Sequence, residues 1–361
     1  MNKQRLITEL QSQGLQLQDY SASNPGRKGG AGPSDHRAIT VEGTTVMVPV
    51  YNTTATQSPY TVQIEDEASA YLYRNQSAIV PVSLPDSPQF YHLATAEGIP
   101  YWKIALLHSQ DVLATTVLQT CMRYRDQATA CQFCAIERSL EADRTIAQKT
   151  PEHLAEVAVA AVHLDRVKQM IMTTGTPNKR DRGAAYLTEC AKAIKARVNL
   201  PIQAQCEPPD DFAWFDTMKA AGIDSLGMHL EAVDPEVRAK IMPGKAEVPV
   251  SYYYQAFTAA VNVFGWGEVS TYLLAGLGDS FETLVMACEK LIDLGVYPFV
   301  VPFVPISNTP LADYRAPDTA FMYALYQKVG QLLKQAGMSS AKLKAGCAKC
   351  GACSALSTFE N

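Results

Sequence analysis

From residue 112 onward, short apolar runs alternate with longer amphipathic ones. DVLATTVLQT, VKQMIMTT, LPIQAQCE, DSLGMHLEA, GEVSTYLLAG and YPFVVPFVP have the length and side-chain character of strands. Between them HLAEVAVAAVHL, AAYLTECAKAIKARV, DFAWFDTMKAAG, a stretch around PEVRAKI followed by SYYYQAFTAAVNVF, and SFETLVMACEKLIDLG read as helices, and DTAFMYALYQKVGQLLKQAG follows the last strand. Such β-α units imply a parallel sheet, either open and doubly wound or curved into a partial barrel. Strand faces separate the two. Gln203, Gln205 and Glu207 share one face, opposite Ile202, Ala204 and Cys206, and His229 and Glu231 likewise oppose Met228 and Leu230. A polar face on a central parallel strand is costly unless it lines a solvated or ligand-filled lumen. The pattern therefore favours an incompletely closed barrel with a polar cavity.

The residues before about 110 differ in character. MNKQRLITELQSQGLQLQ reads as a short amphipathic helix carrying Leu6, Ile7, Leu10 and Leu15, AITVEGTTVMVPVY as a hairpin around Glu42 and Gly43, and YTVQIED and SAIVPVSL as further strands. NPGRKGGAGPSDH is glycine-rich and basic but lacks the GK[ST] ending of a phosphate loop, so it reads as a flexible loop. Three regions result: a mainly β region over 1–110, a partial barrel over 111–316, and a helix with a cysteine-rich tail over 317–361.

Composition narrows the function. At 361 residues, with 47% hydrophobic and 19% charged residues, the chain can bury the core of one large α/β domain with an appendage. A net charge of −5 disfavours a general nucleic-acid binder and leaves a small-molecule substrate. No run of about 18 apolar residues suits a membrane span, and the amino-terminal stretch lacks the apolar core of a signal peptide, so a cytoplasmic protein is expected.

Six of the nine cysteines fall in two tight groups, Cys121, Cys131 and Cys134, and Cys347, Cys350 and Cys353. In a reducing compartment such grouping points to metal. Cys190 and Cys288 sit in helical patterns as small hydrophobes. The first group follows the first barrel strand, where ligand chemistry collects at the carboxyl ends of strands. Its C-x9-C-x2-C spacing lacks the fourth ligand of a structural zinc site, whereas a cubane iron-sulfur cluster held by three cysteines leaves one iron open to an exogenous ligand. His36, His92, His108, His153, His163 and His229 form no HxH or HExxH pair, which argues against a zinc hydrolase. A non-catalytic iron-sulfur carrier is the other alternative.

The cysteine loop, with Phe133 before its last cysteine in CQFC, resembles that of the radical S-adenosylmethionine superfamily, although its first spacing is nine residues where the family has three. The resemblance implies a partial (β/α)6 barrel, a four-iron, four-sulfur cluster on Cys121, Cys131 and Cys134, and S-adenosylmethionine chelated at the open iron. Cleavage to a 5′-deoxyadenosyl radical that abstracts hydrogen from a small metabolite would follow, as would a one-electron reductant such as a flavodoxin or ferredoxin. MTTGTP sits where the family binds the S-adenosylmethionine amino group, which implies Thr174 and Gly175. GMHLEAVDPEVRAKIMPGK resembles the fourth-strand segment of the biotin synthase and lipoyl synthase branch, implying Glu231 at the ribose or amino group and Arg238 at the methionyl carboxylate. Asp234 and Pro235 suit the cap and first position of the helix that carries Arg238. AGLGDSF and VPFVPISNTPL resemble later family turns and imply Gly276, Gly278, Ile306, Asn308 and Thr309 as nucleoside contacts. Gln203, Gln205 and Tyr272 are expected to line the substrate space. At a finer level LATTVLQTC, ACQFCAIE and the CxxCGACSAL tail look like a radical S-adenosylmethionine group that accompanies nitrilase genes, implying a small nitrogen-containing or nitrile-related substrate.

The tail run at Cys347, Cys350 and Cys353 matches the first three ligands of a bacterial ferredoxin motif without its fourth cysteine. A second cluster with an open iron, one completed by a distant residue such as Cys206, a zinc site and an unliganded tail all remain open at this point.

Overall fold

The computed structural model describes residues 2–17, 34–50, 53–64 and 70–360; residues 24–33 of the glycine-rich loop lie outside these. Six parallel strands run in sequence order: β8 (Val112–Thr116), β9 (Gln169–Thr173), β10 (Ile202–Gln205), β11 (Ser225–Gly227), β12 (Val269–Ala275) and β13 (Val296–Pro302). β7 (Leu106–His108) adds an antiparallel edge beside β8. This is the expected half-barrel, and each expected strand is present.

The helices lie where the amphipathic runs placed them. In chain order they are α1 (Lys3–Gln13), α2 (Pro151–Asp165), α3 (Ala184–Lys195), α4 (Ala213–Ala220), α5 (Pro235–Ile241), α6 (Val250–Phe264), α7 (Phe281–Asp293) and α8 (Thr319–Gln335). Outward-facing Ile202, Ala204, Met228 and Leu230 are buried in one core with Leu187, Phe215, Phe257 and Leu284 from the helices. Each large apolar side chain buried there contributes roughly 1.5–3 kcal/mol. Asp234 caps α5 by accepting from the Glu236 and Val237 amides at 2.8 and 3.1 Å, with Pro235 at the first turn. Such a cap is worth about 1 kcal/mol.

The amino-terminal region is a six-stranded sheet in the order β1-β4-β5-β6-β2-β3. Its strands are β1 (Gln16–Leu17), β2 (His36–Val41), β3 (Thr44–Pro49), β4 (Tyr60–Ile64), β5 (Ala70–Arg74) and β6 (Ser77–Ser83). The β2–β3 hairpin turns at Glu42 and Gly43, both at positive φ. This region spans the open side of the half-barrel. The Thr40 hydroxyl accepts from Gln110 in the turn before β8 at 2.6 Å, and the Met47 amide donates to Ala352 O of the tail at 2.7 Å.

The tail closes the floor. The Gly346 amide donates to Gln169 Oε1 at 2.7 Å and the Cys347 amide to Gln203 Oε1 at 3.1 Å, both glutamines lying on the amino-terminal halves of their strands. Gly346 has φ +114°, and a β-carbon there would stand 2.3 Å from the Gln203 side chain. Gly346→Ala should therefore cost about 2–4 kcal/mol through backbone strain and overpacking. Urea unfolding of the full chain would measure the cost, and limited proteolysis should show early cleavage between residues 340 and 355.

Candidate active site

One cavity of about 410 Å³ runs through the lumen. Its upper wall is built from the carboxyl ends of the strands. Cys121, Arg123, Cys131, Phe133 and Cys134 come from the loop after β8, Thr174, Gly175 and Thr176 follow β9, Glu207 follows β10, Glu231 follows β11, and Val304 and Ile306 follow β13. Its lower wall carries Cys347 and Cys353 from the tail, His108 from β7, and His36 and Met47 from the amino-terminal sheet. Gln205, His229, Tyr272, Ile171 and Val301 lie on the strands between.

The long cysteine loop is seated on two neighbours. Gly175 donates its amide to Leu118 O at 2.8 Å, and the Met122 amide donates to Thr176 O at 2.9 Å. A β-carbon on Gly175 would meet Thr120 O at 2.1 Å, so only glycine lets the end of β9 approach the residue preceding Cys121 so closely. On the other side the Gln132 amide donates to Ile241 O at 2.8 Å and the Gly244 amide to Thr129 O at 3.1 Å. The nine-residue excursion is thus a folded turn clamped between β9 and the end of α5.

Two buried ion pairs flank the loop. Arg123 Nη2 stands 3.1 Å from Glu207 Oε2, with the side chains 7% and 8% exposed, and Glu207 Oε1 accepts from the Thr176 hydroxyl at 2.6 Å. Lys245 Nζ donates to Glu231 Oε2 at 2.8 Å. Burial alone would lower the Lys245 ammonium, but the Glu231 carboxylate outweighs it and holds the lysine above its ordinary value. Arg123 Nη1 is buried with no partner among the described residues.

Burial sets the other titrating groups on the wall. It pushes the Cys134 thiol up to about 12 and the Cys131 thiol well above its ordinary value. His229 is held well below the usual imidazole range by burial and, secondarily, by Lys245. His36 is pushed down to about 4 by burial, against the opposing bond to the Ser34 carbonyl. Both rings are therefore neutral near pH 7.

At the floor the sulfurs receive donors. Gln205 Nε2 lies 3.1 Å from Cys347 Sγ, and Cys353 Sγ lies 3.5 Å from His108 Nε2. Burial raises the Cys347 thiol, opposed by hydrogen bonds from Tyr272 and Gln205. Gln203 faces inward but is committed to the tail and to Ser270 Oγ at 3.0 Å.

Not every residue singled out from the sequence reaches the cavity. Cys121, Cys131, Cys134, Thr174, Gly175, Glu231, Ile306, Cys347 and Cys353 do; Cys350 packs beside it against Ala38, Met47 and Ala352. Arg238 is 2% exposed, and its guanidinium donates to the carbonyls of Leu230, Ala232, Lys245 and Val248 and lies 5.3 Å from the Tyr253 ring centre. It braces the α5 turn, and the cations on the cavity wall are Lys245 and Arg123. Gly276 and Gly278 pack against Pro317 and Val237, and Asn308 offers its carbonyl to Arg138 at 2.8 Å. Thr309 bonds back to Ile306 O at 2.8 Å. Cys206 directly follows β10 and borders the cavity. Cys190 and Cys288 are fully buried in the core, as expected. Glu207 was placed on the inward face of its strand by the sequence but given no role, and Arg123 and Lys245 were not marked; an arginine inside a cysteine loop was the available signal for the first.

An incomplete parallel barrel with its polar groups at the carboxyl ends of the strands defines a ligand-binding (β/α) barrel class. Within that class, residues 128–297 match the sequence model of the Radical SAM superfamily. The match begins inside the loop, after Cys121, where the spacing departs from the family pattern. The bacteriochlorophyllide c C-7(1)-hydroxylase of Chlorobaculum limnaeum is 23% identical over 256 residues, covering 66% of this chain and 63% of that protein. The chain thus spans less than two thirds of that relative's length. Among solved structures, methylornithine synthase aligns with TM-score 0.48 and 18% identity, covering 63% of each chain. A radical SAM methyltransferase from Sphaerobacter thermophilus aligns with TM-score 0.47 and 15% identity, covering 78% of this chain and 77% of that one.

The family implies a four-iron, four-sulfur cluster and S-adenosylmethionine, and the donor set fits them. Among the described residues no three His, Cys, Asp or Glu side chains converge closely enough for a single metal ion. A polynuclear cluster takes its ligands on separate irons, so its thiolates stand further apart, as three cysteines spread along one loop can. Two opposite ion pairs beside that loop match an amino-acid head group, which carries both charges.

Removing one member of the Arg123–Glu207 pair strands a buried charge. Arg123→Met or Glu207→Leu alone should destabilise the protein by about 3–5 kcal/mol, and the double variant should recover a large part of that loss. Denaturant titration of the three variants completes the cycle.

Proposed function

We propose that the protein is a radical S-adenosylmethionine enzyme that transforms a small molecule held between two iron-sulfur clusters. The reading is carried by one observation: Cys121, Cys131 and Cys134 at the mouth and Cys347 and Cys353 at the floor border a single cavity, with Cys350 packed beside it. Cys121, Cys131 and Cys134 would hold the first cluster, and Cys347, Cys350 and Cys353 the second. When bound, the first cluster with S-adenosylmethionine supplies one-electron cleavage of the sulfonium to methionine and a 5′-deoxyadenosyl radical.

The residues of the chain then have definite tasks. Arg123 Nη1 and Lys245 attract the methionyl carboxylate, while Glu207 and Glu231 face its ammonium. Thr174, Gly175 and Ile306 form the wall beside the nucleoside. Ile171, Leu274 and Val301 exclude water from the middle of the lumen, which protects a radical from quenching. His229 accepts the Tyr272 amide on Nδ1 at 3.2 Å, so its proton sits on Nε2 as a donor; that atom is buried with no partner among the described residues. Gln205 and Tyr272 lie nearby, giving a substrate space with neutral hydrogen-bonding groups. A small nitrogen-containing metabolite suits such a lining. The reductant is a one-electron carrier such as a flavodoxin or ferredoxin.

Donors aimed at Cys347 and Cys353 support a metal-bound tail, because iron-bound thiolates accept hydrogen bonds. Cys131→Ala should abolish 5′-deoxyadenosine release from dithionite-reduced, reconstituted enzyme. Replacing Cys347, Cys350 and Cys353 together by alanine should keep S-adenosylmethionine binding while removing about half of the iron, as loss of one of two four-iron clusters requires. Unchanged iron in the tail variant would remove the second cluster from the proposal; cleavage that survives Cys131→Ala would remove the first.

A further inference from the structure

Three histidines line the lumen, and their hydrogen bonds separate them. His36 stands on β2, and its neighbours fix its height. Thr40 is tied to Gln110 in the turn at the amino-terminal end of β8, and Ala38 packs with Met47 against Ala352, Cys350 and Cys353. His36 lies on the same face of β2 as Ala38, one strand repeat or about 7 Å further on, and borders the same cavity as Cys347 and Cys353. Its Nδ1 is 2.5 Å from the Ser34 carbonyl oxygen, which can only accept. Nδ1 therefore carries the proton and Nε2 presents a bare lone pair. Histidines that ligate metals are held in this way, the other ring N–H given to a carbonyl or carboxylate.

The other two rings are engaged differently. His229 carries its proton on Nε2 as long as Nδ1 accepts from Tyr272. His108 lies 3.5 Å from Cys353 Sγ, a length suited to an N–H···S bond and too short for a ligand on a neighbouring iron. The tail offers three thiolates and no fourth.

We infer that His36 Nε2 is the fourth protein ligand of the cluster held by Cys347, Cys350 and Cys353. The inference rests on the two-cluster reading above. Coordination uses a lone pair already free of a proton, so none is released from the ring. A second cluster closed in this way has no iron left for substrate or for an exogenous ligand. It can pass electrons, with His108 and Gln205 as donors to its sulfurs.

The test uses the full-length chain with Cys121, Cys131 and Cys134 changed to alanine, reconstituted anaerobically and reduced, so that only the tail cluster reports. Pulsed electron paramagnetic resonance should show the strong nitrogen coupling of a directly bound imidazole, altered when the protein is grown on isotopically labelled histidine. The coupling should persist in His108→Ala and vanish in His36→Phe with iron content retained. Absence of nitrogen coupling in the parent, its survival in His36→Phe, or its loss in His108→Ala overturns the assignment. Should His36→Phe fail to fold, coupling retained in both His108→Ala and His229→Ala leaves His36 as the remaining histidine on the cavity wall, and its loss in either variant overturns the assignment. A parent that holds no iron at all brings down the second cluster itself, an outcome read from iron analysis alone.

Discussion

The lumen depends on the hydrogen bonds by which the tail backbone meets the inward glutamines of β9 and β10. Gln169, Gln203 and Gln205 project into the lumen, and an unpaired buried amide costs about 1–3 kcal/mol. Gly346 and Cys347 supply two of the missing donors, and Gln203 is completed by Ser270. The same contacts put Cys347 and Cys353 onto the floor of the cavity. A polar strand face that would otherwise be a liability becomes a socket, and the socket positions a second set of thiols. The amino-terminal sheet follows from this arrangement, since Met47 and Gln11 both donate to Ala352 O, at 2.7 and 3.3 Å.

At the mouth the governing constraint is charge. Two carboxylates continue the inward faces of β10 and β11, and each is matched by a cation delivered from elsewhere, Arg123 from the cysteine loop and Lys245 from beyond α5. The long loop between Cys121 and Cys131 gains a purpose here, since its extra residues carry Arg123 into the wall. The net result is a neutral rim with separated charges, suited to a zwitterionic head, above a middle section whose lining is apolar or neutral.

Much of this was legible in the amino-acid pattern. Alternation along single strands was enough to turn Gln203, Gln205, His229 and Glu231 inward, because period-two geometry is local. The Asp234-Pro235 start of α5 was equally local. Arg238 was not: the helix it sits on was readable, but the direction of its guanidinium depends on four carbonyls gathered by the fold of residues 230–248, and these claim it before the cavity can. Gly276 and Gly278 serve packing against Pro317 and Val237, partners on segments outside their own turn. The docking of the tail was hidden for the same reason, since Gly346 and Gln169 are brought together only by the completed barrel. β5 went unread because AYLYR is short and follows a polar segment.

The order in which the chain is made gives the floor a further meaning. Residues 346–354 are synthesised after every strand of the barrel, so the nascent protein passes through a stage in which the half-barrel has its cysteine loop but no floor. During that stage Gln169 and Gln203 are wetted from below, and the lumen is open at both ends. The barrel and its cysteine loop thus precede the floor in the order of synthesis.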